Sequence, residues 1–287
     1  MLTPEGATRS AEPLSGGEFK LFQSLIHREA GIFLAETKKA LLVGRLSRRL
    51  RELGLTSFGE YHRYITKEDP AEQVRMLDCV STNETHFFRE PRQFDFIQER
   101  VIPEWQSAAA AGVRPRRVRV WSAACSTGEE PYSLAMMLLS HLPREAGWEI
   151  EILASDISTR VLDIARSATW SVESAGEIPE AYLKRYMLRG AGTQAGKMKA
   201  GPEVRSAIRF ERINLNAESY PVTGRFDLIL CRNVLIYFDA PSKVRICRQL
   251  LRHLEPSGYF FLGHAEAVMD MAGEVERAGP TIYRPAV

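Results

Sequence analysis

From Val118 onward, short apolar runs alternate with helical stretches, and that alternation leaves few folds open to the chain. Val118–Ser122 reads as a strand and Pro131–Leu142 as the helix after it. A second strand, Glu149–Ala154, ends in Ser155-Asp156 and precedes a helix through Val161, Leu162 and Ala165. Phe226–Cys231 is an apolar run of the kind buried on both faces of a sheet. A helix over 244–254, with Leu250, Leu251 and Leu254 on its apolar side, leads to a strand at Tyr259–Leu262. Strands separated by helices form βαβ units, which predicts an α/β fold with a doubly wound, mostly parallel sheet. Such sheets bind ligands beyond the carboxyl ends of their strands. The residues at those ends are therefore the ones to read.

Before Asn83 nothing alternates like a strand. Phe19, Phe22, Leu25 and Ile26 before Gly31 mark one amphipathic helix, and Ser57-x-x-Glu60 is a capping box before another. Asp69-Pro70 opens a third, carrying Val74, Leu77 and Val80. Between them, Leu42, Leu46, Leu50 and Leu53 fall on one arc at 100° per residue, while Arg45, Arg48 and Arg51 fall on the far side. That basic face is either an ordinary solvated surface or a docking site for an acidic partner. The predicted organisation is a disordered tail over 1–13, an all-α domain over 14–88 and an α/β domain over 89–287.

Composition narrows the class. Apolar residues make up 45% and charged residues 26%, as in soluble globular proteins. The longest stretch free of charged residues, Pro131–Pro143, is too short to span a bilayer. The N-terminus has no basic segment followed by an apolar one, so no signal peptide is expected. Cys79, Cys125, Cys231 and Cys247 lack the spacing of a disulfide or zinc framework. These features predict a cytoplasmic protein that does not insert into membranes. A net charge of +2 gives no nucleic-acid signature, and aromatic residues are not interleaved with Lys and Arg.

The first strand runs into Ala123-Ala-Cys-Ser-Thr-Gly128-Glu-Glu-Pro-Tyr132. Small residues leading to a glycine between strand and helix let a ligand approach the backbone. The G-x-G-x-x-G dinucleotide fingerprint is absent, because Gly128 is the only glycine in the loop. Glu129 and Glu130 stand where a phosphate would otherwise sit; they would repel pyrophosphate and attract an α-ammonium or sulfonium group. The same acids could merely complement the helix dipole. Asp156 suits a carboxylate gripping ribose hydroxyls, or equally a helix N-cap.

Several segments, in order, resemble the CheR family of chemoreceptor methyltransferases: Ser81-Thr-Asn-Glu-Thr-His-Phe-Phe-Arg89, Arg119-Val-Trp-Ser-Ala-Ala-Cys-Ser-Thr-Gly-Glu-Glu-Pro-Tyr-Ser133, Ala154-Ser-Asp-Ile157, Asn214-Leu215, Cys231-Arg-Asn-Val-Leu-Ile-Tyr-Phe238 and Gly263-His-Ala-Glu266. The match runs from about residue 15 to the C-terminus. One departure is Ala265, where many members carry Ser. The resemblance implies a class I, Rossmann-like methyltransferase that uses S-adenosyl-L-methionine to esterify glutamate side chains of chemoreceptors, with no metal.

It further implies roles for particular residues. Asn83, Thr85 and Arg89 would cover the cofactor, Glu130 rather than Glu129 would meet its methionine moiety, and Asp156 would hold the ribose. Asn214 and Leu215 would flank the adenine, and Arg232 and Asn233 would line the loop after the fourth strand. Arg89 and Tyr237 would face the transferred methyl group; by residue type alone, Tyr237 could be core packing and Asn233 a turn residue. The partner implied is an acidic receptor bundle docking on Arg45, Arg48 and Arg51. The glycines of the Gly190–Gly196 segment suit a hairpin in an inserted antiparallel β subdomain at about 180–212. That hairpin resembles the version that binds a receptor C-terminal pentapeptide, or is a plain surface loop. A monomer is expected. A small-molecule or RNA methyltransferase is the rival class, but the N-P-P-Y motif of amine methylation is replaced by Arg232-Asn-Val-Leu.

Overall fold

The computed structural model describes residues 12–266, 271 and 273–286, so most of the tail expected over 1–13 lies outside the described residues. The chain divides into two compact units between Thr82 and Asn83. Residues 83–88, assigned from the sequence to the helical domain, therefore go with the second unit. The reason is packing: the Phe87 ring lies 5.1 Å from that of Trp170, and the Phe88 N–H donates to the Ser133 hydroxyl at 3.0 Å.

The first unit is helical: α1 Gly16–Ala30, α2 Lys39–Glu52, α3 Phe58–Arg63 and α4 Glu72–Val80. Ser15 with Glu18 and Ser57 with Glu60 form reciprocal capping boxes at the starts of α1 and α3. Leu42, Leu46 and Leu50 are fully buried where α2 packs on α4. Beside them Arg49 donates twice to the buried Glu72 carboxylate, at 2.5 and 2.7 Å. Of the three arginines expected to share a free face, Arg48 and Arg51 are exposed and Arg45 is not. Arg45 lies at the margin of the leucine arc, close enough for its guanidinium to reach the Val80 carbonyl and, at 2.9 Å, the Thr82 hydroxyl.

The second unit opens with α5 Pro91–Phe96 and α6 Ile102–Ala110, then builds β1 Arg117–Ala123, α7 Glu129–His141, β2 Glu149–Asp156 and α8 Thr159–Ser167. Next come β3 Thr169–Ser171, α9 Glu180–Tyr186, β4 Met187–Arg189, β5 Lys197–Ala200, α10 Pro202–Arg205 and β6 Ile208–Arg212. The chain ends through β7 Phe226–Cys231, α11 Ala240–Arg252, β8 Leu254–Leu262, β9 Val275–Gly279 and β10 Ile282–Pro285. Seven strands form one sheet in the order β6-β2-β1-β7-β8-β10-β9. It is parallel from β6 to β8, with β10 antiparallel to both of its neighbours. The strand order reverses between β1 and β7, which sets a ligand crevice above those strands and β2. Among the described residues no helix is long and apolar enough to cross a membrane.

Four sequence expectations shift. Leu254 is not on a helix; α11 ends at Arg252, and Leu254 pairs with Phe226 as the first residue of β8. The helix also starts earlier, at Ala240, because the Asp239 carboxylate caps the Ser242 N–H at 2.9 Å. The small antiparallel sheet has the order β3-β5-β4, so it begins at Thr169 rather than about 180. Ile208–Arg212, placed in it from the sequence, pairs with β2 in the main sheet.

Candidate active site

The loop between β1 and α7 is held by its neighbours in a shape few sequences adopt. Ala124 and Ser126 have φ of 70° and 50°, and Gly128 has φ of 100°. Left-handed residues other than glycine persist only where the surroundings fix them. Here the Ser155 carbonyl accepts the Ala124 and Cys125 N–H groups at 2.8 and 2.9 Å. Asp156 accepts the Ser126 N–H on one carboxylate oxygen at 2.9 Å and the Ser158 N–H on the other at 3.0 Å. Both Asp156 carboxylate oxygens thus brace the loop. At Gly128, a Cβ would stand 3.0 Å from that of Ala165. Only glycine suits both the angle and the gap.

The expected cofactor residues gather in two groups. In the first, the Ser126 hydroxyl donates to the Asn83 carbonyl at 2.9 Å, which brings Asn83 over the loop. Among the described residues the buried Asn83 Nδ2 has no hydrogen-bond partner, a donor free to meet a ligand acceptor. The Ile213 N–H donates to the Asp156 carbonyl at 3.1 Å, which sets Asn214 and the buried Leu215 beyond the end of β2. Thr85 is half-buried.

The second group centres on Arg232, only 2% exposed in its side chain. One guanidinium nitrogen donates to Glu130 at 3.1 Å; the other donates to the Arg89 carbonyl and lies 3.3 Å from Glu90. Glu90 also accepts the Asn233 amide and the His264 N–H, each at 3.1 Å. Burial pushes the Glu130 carboxyl up, and Arg232 and the Ser122 hydroxyl offset only part of that. For Glu90 burial also acts upward, but Arg232, the His264 N–H and Asn233 outweigh it and hold the carboxyl below its ordinary range. Two carboxyl groups thus share one guanidinium. Glu129 turns away, its carboxylate accepting the Thr127 hydroxyl at 2.7 Å, and burial pushes it up too.

Tyr237 closes a 3-10 turn, Leu235–Tyr237, half-buried against the core behind β7. The Arg89 guanidinium donates to the Glu84 carbonyl at 3.0 Å, and among the described residues it shares no hydrogen bond with Tyr237. Glu90, Ser122, Ser126 and Glu266 were missed from sequence. Glu266 closes a motif that the resemblance includes, and Glu90 follows Arg89 directly; position was the only available signal.

The cofactor that the resemblance implies is S-adenosyl-L-methionine. The orphaned Asn83 donor and the two carboxyl groups on Arg232 fit a nucleoside carrying a cationic amino-acid tail.

A model of the CheR methyltransferase SAM-binding domain matches residues 83–283, and one of the CheR all-alpha domain matches residues 17–81. Chemotaxis protein methyltransferase 2 of Pseudomonas aeruginosa is 40% identical over 269 residues, covering 94% of this chain and 93% of the relative. The chemotaxis protein methyltransferases of Klebsiella aerogenes and Escherichia coli are each 38% identical, covering 94% of this chain and 90% and 91% of theirs.

The depressed Glu90 carboxyl carries a pH signature. A group depressed in the folded state contributes stability above its unfolded value and loses it as pH falls through the folded value. Glu90→Gln should therefore lower the melting temperature near neutral pH. The gap to wild type should narrow as pH falls below the ordinary carboxylate value of 4.5. Thermal unfolding of both proteins from about pH 7 to about pH 3 checks this; a constant gap would count against the assignment.

Proposed function

The chain belongs to the CheR methyltransferase family, and on that premise we propose that it transfers a methyl group to glutamate side chains of bacterial chemoreceptors, forming methyl esters. It is an S-adenosyl-L-methionine-dependent methyltransferase. The observation that supports the finer reading is the 38–40% identity to chemotaxis protein methyltransferases over 94% of the chain. The carboxyl pair on Arg232, tied to Arg89 through its backbone, supports the cofactor site. The bound cofactor supplies an electrophilic methyl group with its leaving group attached. A glutamate side chain is already ionised at neutral pH, so the protein needs no general base. Its task is in-line positioning and the management of charge that disappears in the step.

In this reading Asn83, Thr85, Asp156, Asn214, Leu215 and Asn233 bind the cofactor, and Glu130 with Arg232 meets its amino-acid end. Arg89 orients the incoming carboxylate, and the Tyr237 hydroxyl donates to it. Arg89 must hold the anion loosely, because stabilising the ground state alone slows the step. The enzyme works in the cytoplasm on the receptor's helical bundle. Arg48, paired with Glu52 but exposed, and the exposed Arg51 form the docking face; Arg45 contributes less, since it is half-buried and engaged by Val80 and Thr82. The β4 strand lies at the edge of its small sheet, before the Gly190–Gly196 turn. That edge supports capture of a receptor C-terminal peptide as an added strand, which would raise the local substrate concentration.

Incubation with methyl-labelled cofactor and a purified receptor cytoplasmic fragment should give label on glutamate that base releases as methanol. Arg89→Ala and Tyr237→Phe should each slow transfer by about tenfold or more, as expected for lost hydrogen bonds to a charged group, with cofactor still bound. Base-stable label, or label only on small molecules, would refute the ester reading.

Docking has its own test. Changing Arg48 and Arg51 together to Glu should lower the second-order rate on receptor while leaving cofactor affinity intact. The defect should shrink with salt, since screening at about 0.15 M confines exposed charges to about 8 Å. Wild-type rates for this double variant in low salt would make the face a solvated surface only.

A further inference from the structure

Glu266 ends the Gly263-His-Ala-Glu266 segment beyond β8 and is only 6% exposed. Its carboxylate is met by backbone donors. One oxygen accepts the Gly263 N–H at 2.7 Å and the Asn233 N–H at 2.8 Å; the other accepts the Ile236 N–H at 3.2 Å. Gly263 follows β8, whereas Asn233 and Ile236 lie in the loop after β7, and Ile236 is the middle residue of the turn that carries Tyr237. One side chain therefore ties together the carboxyl ends of two neighbouring strands.

The two loops are also pressed together at this point. A Cβ on Gly263 would stand 2.6 Å from the Asn233 amide nitrogen and 2.8 Å from the Glu266 carboxylate, so only glycine allows the approach. Asn233 itself has φ of 58°, a left-handed conformation that its surroundings must hold. The Asn233 side-chain amide, lying against Gly263, donates to Glu90 at 3.1 Å. Asn233 is thus held by two carboxylates, by its backbone on Glu266 and by its side chain on Glu90.

We propose that Glu266 is a positioning residue for methyl transfer: by holding the Asn233, Ile236 and Gly263 N–H groups it fixes the turn that presents Tyr237. This rests on the assignment of Tyr237 to the reacting end of the site. Glutamine is the sharp substitution, because an amide has a single acceptor oxygen. Whichever way it turns, an NH2 group faces at least one backbone N–H, while size and shape are kept.

The test measures transfer to receptor fragment at saturating substrates, and cofactor affinity by calorimetry, for wild type, Glu266→Gln, Tyr237→Phe and the double variant. Glu266→Gln should lower kcat by about tenfold or more, as expected when charge-assisted hydrogen bonds are lost. Its cofactor Kd should change by a smaller factor than kcat, since Glu266 holds the cofactor residue Asn233 as well as the turn that carries Tyr237. The double variant should be no slower than the slower single, because residues that act as a unit are not additive. Multiplying effects, or wild-type kcat in Glu266→Gln, would overturn the proposal while leaving Tyr237 in place. Wild-type turnover in Tyr237→Phe would remove Tyr237 from the chemistry and the proposal with it. If Glu266→Gln does not fold, Glu266→Asp is read by the same criteria, since it keeps the charge but is too short for all three donors.

Discussion

A guanidinium held between two buried carboxylates is the interaction on which the site depends. Arg232 stands at the end of β7, Glu130 on the first turn of α7, and Glu90 just before α5. The ion pairs therefore join three segments far apart in the chain. Replacing one partner of such a buried network leaves an uncompensated charge, which costs about 3–5 kcal/mol. The arrangement also sets two carboxyl groups against one guanidinium. An interior of that kind accepts a cation and disfavours a pyrophosphate, which separates it from the dinucleotide sites built on similar sheets.

The backbone around it is fixed by the same means. Asp156 spans the β1 loop through Ser126, and Glu266 spans the β7 and β8 loops through three N–H groups. Carboxylates thus shape the crevice as much as they fill it. The left-handed residues Ala124, Ser126 and Asn233 lie where these carboxylates act. A site braced in this way needs little reorganisation when charge moves, which is the condition for electrostatic stabilisation of a transition state.

Much of this was legible in the sequence wherever one residue's environment is set by its near neighbours. The run Phe226–Cys231 read as a doubly buried strand and is β7. Ser57 and Glu60 read as a capping box and form one. The α/β alternation read as a mostly parallel sheet, which the chain forms. What escaped was decided by distant partners or by edges. Ile208–Arg212 mixes apolar and charged residues because it is an edge strand, as β9 is at the other edge of the sheet. Arg45 looked free on a helical projection, yet its partners are Val80 and Thr82 on the far side of the unit's sequence. Glu90 looked like the neighbour of a functional arginine. Its role follows only from Asn233 and His264, which no local pattern connects to it.

The central claim is that the pair of carboxyl groups on Arg232 is matched by the cationic amino-acid end of the cofactor. Titration calorimetry of S-adenosyl-L-methionine into wild type and Glu130→Gln tests it most directly, with thermal unfolding to show that the variant is folded. The account predicts binding weakened by about tenfold or more in the variant, roughly 1.4 kcal/mol of lost charge complementarity. Equal affinities in two folded proteins would contradict it.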